Sequence, residues 1–457
     1  MKRMYLFLAA AAMLLTTACS NDDAANVVAL DSQTTAANLA VGFDTYTANA
    51  TRSGQTGVMN TTQLQTTGFG VFAYQSQAPW TSDNTPNFMY NQHVTYTTPS
   101  WIYSPLKYWP NETGSNNIDG NGAKSGILER LTFFAYAPYV DATPSSGAVT
   151  SAAITDKDYD DADVENVGIT KLTANEAEGA AKVSYQMAYT PNKSVDLLWG
   201  VAPAGGLDYQ SVNPADNVNA HITRPEGTPL IDLVKPDKDQ KIKFLFKHAL
   251  ARLGLSIVAA DDQLAAGGKL DDNTRIYVNS IKITNNAKTV PASAQLNLNN
   301  ITAGVANWEY TTPTSALTFG VKRGGFINSK IIDSGDHRTN EGVSGTEKNV
   351  LLTDNDYFML IPTPGSAATF EVTVDYDVYT LDDKVKDGTL TGFTRTNNVI
   401  TKEITLNSTE VGHTGFTNNK AYNLKLILGL TSVKLAAEVA DWQLEGDTDV
   451  NLPRNKE

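Results

Sequence analysis

The sequence is poor in cysteine and in charged residues, and its composition excludes some kinds of structure and partner. Its 457 residues include one cysteine, Cys19, so no disulfide forms within the chain. Charged residues make up 18%, against roughly 25% in an average soluble protein. The net charge of −14 argues against nucleic acid as a partner, because phosphates require a basic surface. Abundant Thr, Asn, Ser, Ala and Gly, with 19 Tyr and 15 Phe, favour β-structure with polar loops.

Familiar catalytic patterns are also missing from the sequence. There is no His-Glu-x-x-His, no Gly-x-Ser-x-Gly and no phosphate-binding loop. The stretch Asp156–Asp160 begins like a calcium loop, with acidic residues at alternate positions. However, Asp161 stands where such a loop needs glycine, and Val167 stands where it needs a bidentate glutamate. We therefore expect no enzymatic activity, no cofactor and no regular metal site, and only an irregular calcium site stays open.

The first residues have the organisation of an export signal. Lys2 and Arg3 form a basic start, and Tyr5–Leu15 is an apolar run too short for a stable membrane span. Leu15–Cys19 resembles a bacterial lipobox, although the branched apolar residue lies one place further from the cysteine than usual. Residues 1–18 are thus predicted to be a lipoprotein signal peptide, with lipid on Cys19. The alternative is an ordinary signal peptide followed by an incidental cysteine.

The residues after Cys19 predict a surface tether. Ser20–Asp23 resembles the acidic signal that sends some lipoproteins to the outer surface of the cell. Lipid on Cys19 would anchor the chain at the outer membrane without a spanning segment. No later segment approaches 18 apolar residues, so the remainder is predicted to be exported.

The stretch Leu39–Ser53 combines a strand pattern with a lone arginine. Leu39, Val41 and Phe43 recur with a period of two, which predicts a half-buried strand. The stretch lies between the tether and the first strand of the main body, and Arg52 stands near its end. We interpret residues 19–52 as a tether followed by a first strand that completes the fold of the precursor.

Apolar segments with turn signals between them recur along the rest of the chain, and none shows a long helical period. They include 68–74, 131–139, 195–203, 242–257, 276–283, 357–362, 369–376, 421–428 and 433–439. The proline-rich stretch 203–239 is the best linker. The pattern predicts an all-β protein of two antiparallel β-sandwich domains, at residues 53–238 and 239–457.

The aromatic stretch Trp101–Pro110 has two interpretations. Its rings could stack sugars on an exposed face, or they could pack in the core. The strand pattern favours core packing.

Several blocks together resemble the fimbrillin family of anaerobic Gram-negative bacteria. They are the lipobox, Thr51–Ser53, Phe69–Tyr74, Trp101–Pro110, Phe133–Tyr139, Leu197–Pro203, Phe246–Leu253 and Asp441–Trp442, in the family's order. Each block alone is weak, but the ordered set is fairly specific and covers nearly the whole chain. The resemblance implies two transthyretin-like β-sandwich domains and a lipoprotein precursor of a type V pilus.

The resemblance also implies a mechanism of assembly. An arginine-specific protease would cut between Arg52 and Ser53 and remove the first strand, which would open an apolar groove. The C-terminal strand of another subunit would then fill that groove. The face inserted by such a donor strand would be Val433, Leu435, Ala437 and Val439.

Two of these assignments have plain alternatives. Arg52 could be a solvated loop charge. Val433–Val439 could be an ordinary strand of its own sandwich, which would make the protein a pilus tip, an anchor or a surface lipoprotein that never polymerises.

The predicted function is thus a structural subunit of a surface pilus that supports adhesion. Its partners would be other pilin subunits, in a homo- or heteropolymer, and the outer membrane. The alternative is a lipid-anchored, carbohydrate-binding surface lipoprotein that does not polymerise.

Overall fold

The structure is a computed structural model in which strands dominate. It describes residues 39–47, 58–110, 129–213, 218–236, 240–259, 274–286, 289–310, 317–322, 349–350, 357–363, 367–387, 390–406, 415–429 and 433–441. Over these ranges, no helix is long and apolar enough to cross a membrane.

The strands in the first part of the chain fall into two sheets and a hairpin. They are β1 (Phe43–Thr47), β2 (Phe69–Ser76), β3 (Met89–Thr97), β4 (Ser100–Ile102), β5 (Arg130–Ala137), β6 (Ile154–Lys157), β7 (Asp163–Leu172), β8 (Lys182–Gln186), β9 (Leu198–Val201), β10 (Leu207–Asn213), β11 (Val218–Arg224), β12 (Leu230–Val234) and β13 (Ile242–His248).

The later strands contribute to the second sheet and build two more. They are β14 (Ala251–Ala259), β15 (Thr274–Asn285), β16 (Ser293–Asn297), β17 (Asn307–Tyr310), β18 (Leu317–Lys322), β19 (Asn349–Val350), β20 (Phe358–Leu360), β21 (Ala368–Asp387), β22 (Leu390–Leu406), β23 (Lys420–Leu428) and β24 (Val433–Asp441).

The first sheet has eight strands, and its central strands β2 and β5 are buried on both faces. Its order is β1-β13-β9-β5-β2-β3-β4, with β12 also paired to β5. Side chains alternate across a strand, so Phe72 and Tyr74 of β2 pack toward the second sheet, β17-β16-β8-β7-β6. Phe69 and Val71 face the other way, into a separate apolar cluster that includes the first strand.

The third and fourth sheets enclose another apolar core. The third sheet has the order β19-β14-β23-β24, with β20 also on β14, and the fourth has the order β18-β15-β21-β22. Leu255, Ile281, Val374 and Leu424 lie within their shared core and are nearly fully buried. The predicted all-β sandwich fold is therefore confirmed.

Two strand pairs are parallel, a feature that the sequence did not predict. β1 runs parallel to β13, and β14 runs parallel to β23. Tight hairpins join only antiparallel neighbours, so a parallel pair brings together strands that are distant in sequence. Both parallel pairs join strands that are far apart in the sequence.

Strand pairing crosses the predicted division between residues 238 and 239. β13 lies in the first sheet beside β9, and β16 pairs with β8 in the second sheet. The chain leaves the first sheet at Ala249 and Leu250, immediately before β14. The placement of the domain boundary itself stays a prediction.

A short helix follows the first strand and was not expected from the mainly polar stretch that contains it. α1 spans Thr61–Thr67. Oδ1 of Asn60 accepts a hydrogen bond from the backbone N–H of Gln63 at 2.8 Å, and Oε1 of Gln63 accepts one from the N–H of Asn60 at 3.2 Å. This reciprocal capping is encoded by the spacing Asn-x-x-Gln, which was the available signal.

Candidate functional site: the groove of the first strand

The first strand is bonded to a different part of the chain on each side. Phe43 lies opposite Ile242 in the parallel pair with β13. On the other side, the N–H of Val41 donates to the carbonyl of Lys107 at 2.9 Å, and the N–H of Trp109 donates to the carbonyl of Leu39 at 2.8 Å. We use the name first strand for Leu39–Thr47, which is β1 together with the four residues before it. We call the space that it fills, between β13 and Lys107–Trp109, the first-strand groove.

The inward side chains of the strand are held in an apolar interior. Val41 is 0% exposed and Phe43 is 2% exposed, while Leu39 is half-buried against the same cluster. Thr45 is also buried, and its Oγ1 donates to the carbonyl of Phe244 at 3.0 Å. Burial of each large apolar side chain stabilises the fold by roughly 1.5–3 kcal/mol. The strand is therefore an integral part of this core.

Phe43 lies inside a cage of aromatic rings. Its ring centroid is 6.2 Å from Phe69, 5.4 Å from Tyr103, 6.0 Å from Phe133 and 6.2 Å from Phe244. The first three contacts are edge-to-face and the last is stacked, the arrangements that the ring quadrupoles favour. The cage is assembled from separate segments of the chain, so only the folded sheet creates it.

Tyr103 closes the groove over the backbone of the first strand. Its hydroxyl donates to the carbonyl of Val41 at 2.7 Å and accepts from the N–H of Lys107 at 3.2 Å. Burial raises the pKa of the Tyr103 hydroxyl to about 12. The folded chain thus holds this proton more tightly than the unfolded chain, where a tyrosine has a pKa of about 10.

The Tyr103 hydroxyl is expected to make the stability pH-dependent. Its contribution is complete below pH 10 and is lost as the pH rises from about 10 to about 12. Wild type should therefore exceed Tyr103→Phe in unfolding free energy by about 1 kcal/mol at pH 8, and this difference should shrink above pH 10. Urea titrations of both proteins at several pH values measure it. Other buried tyrosines cancel in the comparison, and a difference that stayed constant up to pH 12 would contradict this role.

The segment just after the first strand has hydrogen bonds of its own to the rest of the protein. Val58, Met59 and Asn60 are fully buried. Oδ2 of Asp196 accepts a hydrogen bond from the N–H of Met59 at 2.8 Å and lies 2.7 Å from Nδ1 of His248. Neither contact involves a residue before Met59. This anchor could not be predicted from sequence, because Met59, Asp196 and His248 are distant along the chain.

The predicted processing residues Cys19, Arg52 and Ser53 lie outside the described residues. The predicted donor strand lies within them, as β24, which pairs antiparallel with β23 of the same chain. β24 is the last strand in the order of the third sheet, and Ala437 and Val439 are half-buried against the core between the third and fourth sheets. The predicted donor strand therefore forms part of its own sandwich. It lies at an edge of the third sheet, where β23 is its neighbour in the described strand order.

The aromatic stretch contributes mainly to the core. Trp109 is buried, and Trp101 and Tyr103 are half-buried against the cluster that contains Phe43. Tyr108 is 45% exposed. The rings that were candidates for stacking sugars are thus largely used to line the first-strand groove.

Asp156, the first residue of the calcium-like stretch, makes structural hydrogen bonds. Its carboxylate accepts from the N–H groups of Tyr189 and Thr190 and from the hydroxyl of Thr190. Asp158 caps the turn between β6 and β7 by accepting from the N–H of Asp160 and of Ala162. Within the ranges that the structure covers, no group of three His, Cys, Asp or Glu side chains is placed to hold a metal ion.

Comparisons with known proteins reveal similarity over almost the whole chain. No protein-family model matches it. The fimbrium subunit Fim1C of Phocaeicola vulgatus is 25% identical over 432 residues, which cover 91% of this chain and 92% of that protein. The structure of a fimbrial protein from Bacteroides vulgatus matches with a TM-score of 0.58 and 22% identity, over 89% of this chain and 100% of that one. The latter likeness supports the fold.

Proposed function

Since this chain is similar to a fimbrium subunit over nearly its whole length, we propose that it is a fimbrillin-type structural subunit of a surface fimbrium. It is exported as a lipoprotein acylated at Cys19, is held at the outer membrane, and passes into a fimbrium at the cell surface after proteolysis. It works by assembly and supports adhesion, and it performs no catalysis.

The observation that carries this proposal is the position of Leu39–Thr47. The strand fills the first-strand groove, and Arg52 follows it closely in the sequence. Cleavage after Arg52 would cut the covalent link between this strand and the part of the chain that follows it. Loss of the strand would expose the edge of β13 and an aromatic trough, and an open edge of this kind accepts another strand.

The geometry also supports survival of the mature chain. After cleavage, the new chain would begin at Ser53, only a few residues before the anchored Met59. The bonds from Met59 to Asp196 and the capped helix α1 would keep this end of the molecule folded. The remaining sheet would thus be a preorganised receptor for a donor strand from another subunit.

N-terminal sequencing of protein recovered from intact bacteria tests the proposal. We expect the assembled form to begin at Ser53, and we expect heat-resistant ladders on gels. Protein that always began at acylated Cys19, and that melted as a monomer at a temperature shifted by polysaccharide, would point instead to a carbohydrate-binding lipoprotein.

A further inference from the structure

We infer that the first-strand groove selects its incoming strand by an aromatic side chain at the position of Phe43. The occupant is thus an aromatic-bearing strand of a different subunit, rather than the C-terminal strand of a second copy of this chain. This inference rests on the proposed exchange of strands and adds to it the identity of the partner.

The selection follows from the cage around Phe43. Four rings, those of Phe69, Tyr103, Phe133 and Phe244, stand within 6.2 Å of its centroid. They belong to the sheet and to the segment after β4, which stay behind when the strand leaves. Protein interiors tolerate voids poorly, since surrounding side chains relax only in part to fill them. A small side chain would leave most of this cage empty.

The C-terminal strand of this chain has no residue that matches the cage. The apolar side chains at alternate positions of β24 are Val433, Leu435, Ala437 and Val439, and none is aromatic. Leu435, the largest, lacks the flat ring that makes the edge-to-face contacts. The C-terminal strand of a second copy would therefore have the right alternation of apolar residues but no aromatic side chain for the position of Phe43.

The nearby aromatic residue Trp442 does not remedy this. It has the opposite parity, so a strand that aimed Trp442 into the cage would place Ala440 at the position of Val41 and Glu438 at the position of Leu39. Leu39 is half-buried against the apolar cluster, so a carboxylate placed there without a partner is unfavourable. This register, with a carboxylate in place of Leu39 and a small side chain in place of the buried Val41, makes Trp442 a poor substitute for Phe43.

Peptide competition on the nicked protein tests the inference. The full chain is cut with an arginine-specific protease, and cleavage after Arg52 is verified by intact mass. Dye-labelled peptides are then added, and binding is followed by anisotropy and by release of the resident N-terminal fragment. The probes are the peptide Leu39–Thr47, its F43A and F43L forms, the peptide Val433–Asp441, and that peptide with L435F. The D44N form of the first peptide is the matched control, because Asp44 lies on the other face.

The first-strand peptide and its D44N form should bind equally well. F43A should bind at least about 100-fold more weakly and F43L about 10-fold more weakly, the ratios that correspond to lost aromatic packing. The Val433–Asp441 peptide should bind at least about 10-fold more weakly than the first-strand peptide, and L435F should recover about 10-fold. Because one protein preparation serves every probe, these differences do not depend on how variants fold.

Two results would overturn the inference in different ways. If F43A or the Val433–Asp441 peptide bound within threefold of the first-strand peptide, aromatic selection would be wrong while strand exchange would stand. If no peptide entered the nicked protein, strand exchange itself would fail, and aromatic selection would fail with it.

Discussion

Replacing Arg52 by Gln is expected to hold the chain in its precursor form and to abolish fimbrium assembly. The reason is mass action. A tethered strand faces its groove at an effective concentration that is roughly millimolar, far above that of any free subunit. Burial of the side chains of Val41 and Phe43 adds a large favourable contribution to the free energy with which the resident strand binds its groove. While the link at Arg52 is intact, an incoming strand cannot compete with the resident one.

The measurement for Arg52→Gln is made on cells that express the variant. Surface protein should keep its N-terminal segment, heat-resistant ladders should disappear from gels, and filaments should be missing from electron micrographs. Arg338→Gln, a change of the same type elsewhere in the chain, is the matched control and should assemble normally. Normal filaments built from uncleaved Arg52→Gln subunits would refute cleavage as the trigger.

Replacing Asp196 by Ala is expected to lower the free energy of unfolding by about 3–5 kcal/mol. Asp196 is 0% exposed, and its Oδ2 serves both the N–H of Met59 and Nδ1 of His248. Without the carboxylate, the buried N–H loses its acceptor and the imidazole loses a close partner. Each such loss in an interior is costly, because no water replaces the bond.

Urea denaturation of Asp196→Ala measures the effect, with Asp83→Ala as the control. Asp83 is exposed, so its variant should lie within about 0.5 kcal/mol of wild type. Hydrogen exchange at the amide of Met59 should also accelerate in Asp196→Ala. A loss below 1 kcal/mol, with Met59 still protected, would show that the anchor does not depend on this carboxylate.

The sequence predicted those strands whose side chains carry a strong apolar pattern. The predicted segments 68–74, 131–139 and 276–283 correspond closely to β2, β5 and β15. The sequence missed β22, whose residues are mostly exposed Thr, Asn and charged side chains. Its partner β21 provides the ladder that makes it a strand, and a backbone partner leaves no mark on the local pattern.

Sequence reasoning likewise recognised one part of the candidate site and missed another. The alternation of Leu39, Val41 and Phe43 predicted an inward face, because period-two burial is a local property. The structure buries Val41 and Phe43 and half-buries Leu39, although β1 itself begins at Phe43. Tyr103 and Asp196 could not be recognised as its neighbours. Each acts on a backbone group far away in sequence: Tyr103 on Val41, and Asp196 on Met59.

By itself, the sequence determined the strand-rich class and the order of the blocks that resemble fimbrillins, and it predicts lipid on Cys19 and processing at Arg52. Only the tertiary structure decided that β1 lies parallel to β13, with the hydroxyl of Thr45 on a carbonyl 199 residues away. Only the folded sheet gathers four rings around Phe43. Periodicity records which face of a strand is buried, whereas the choice of its partner depends on contacts made across the whole chain.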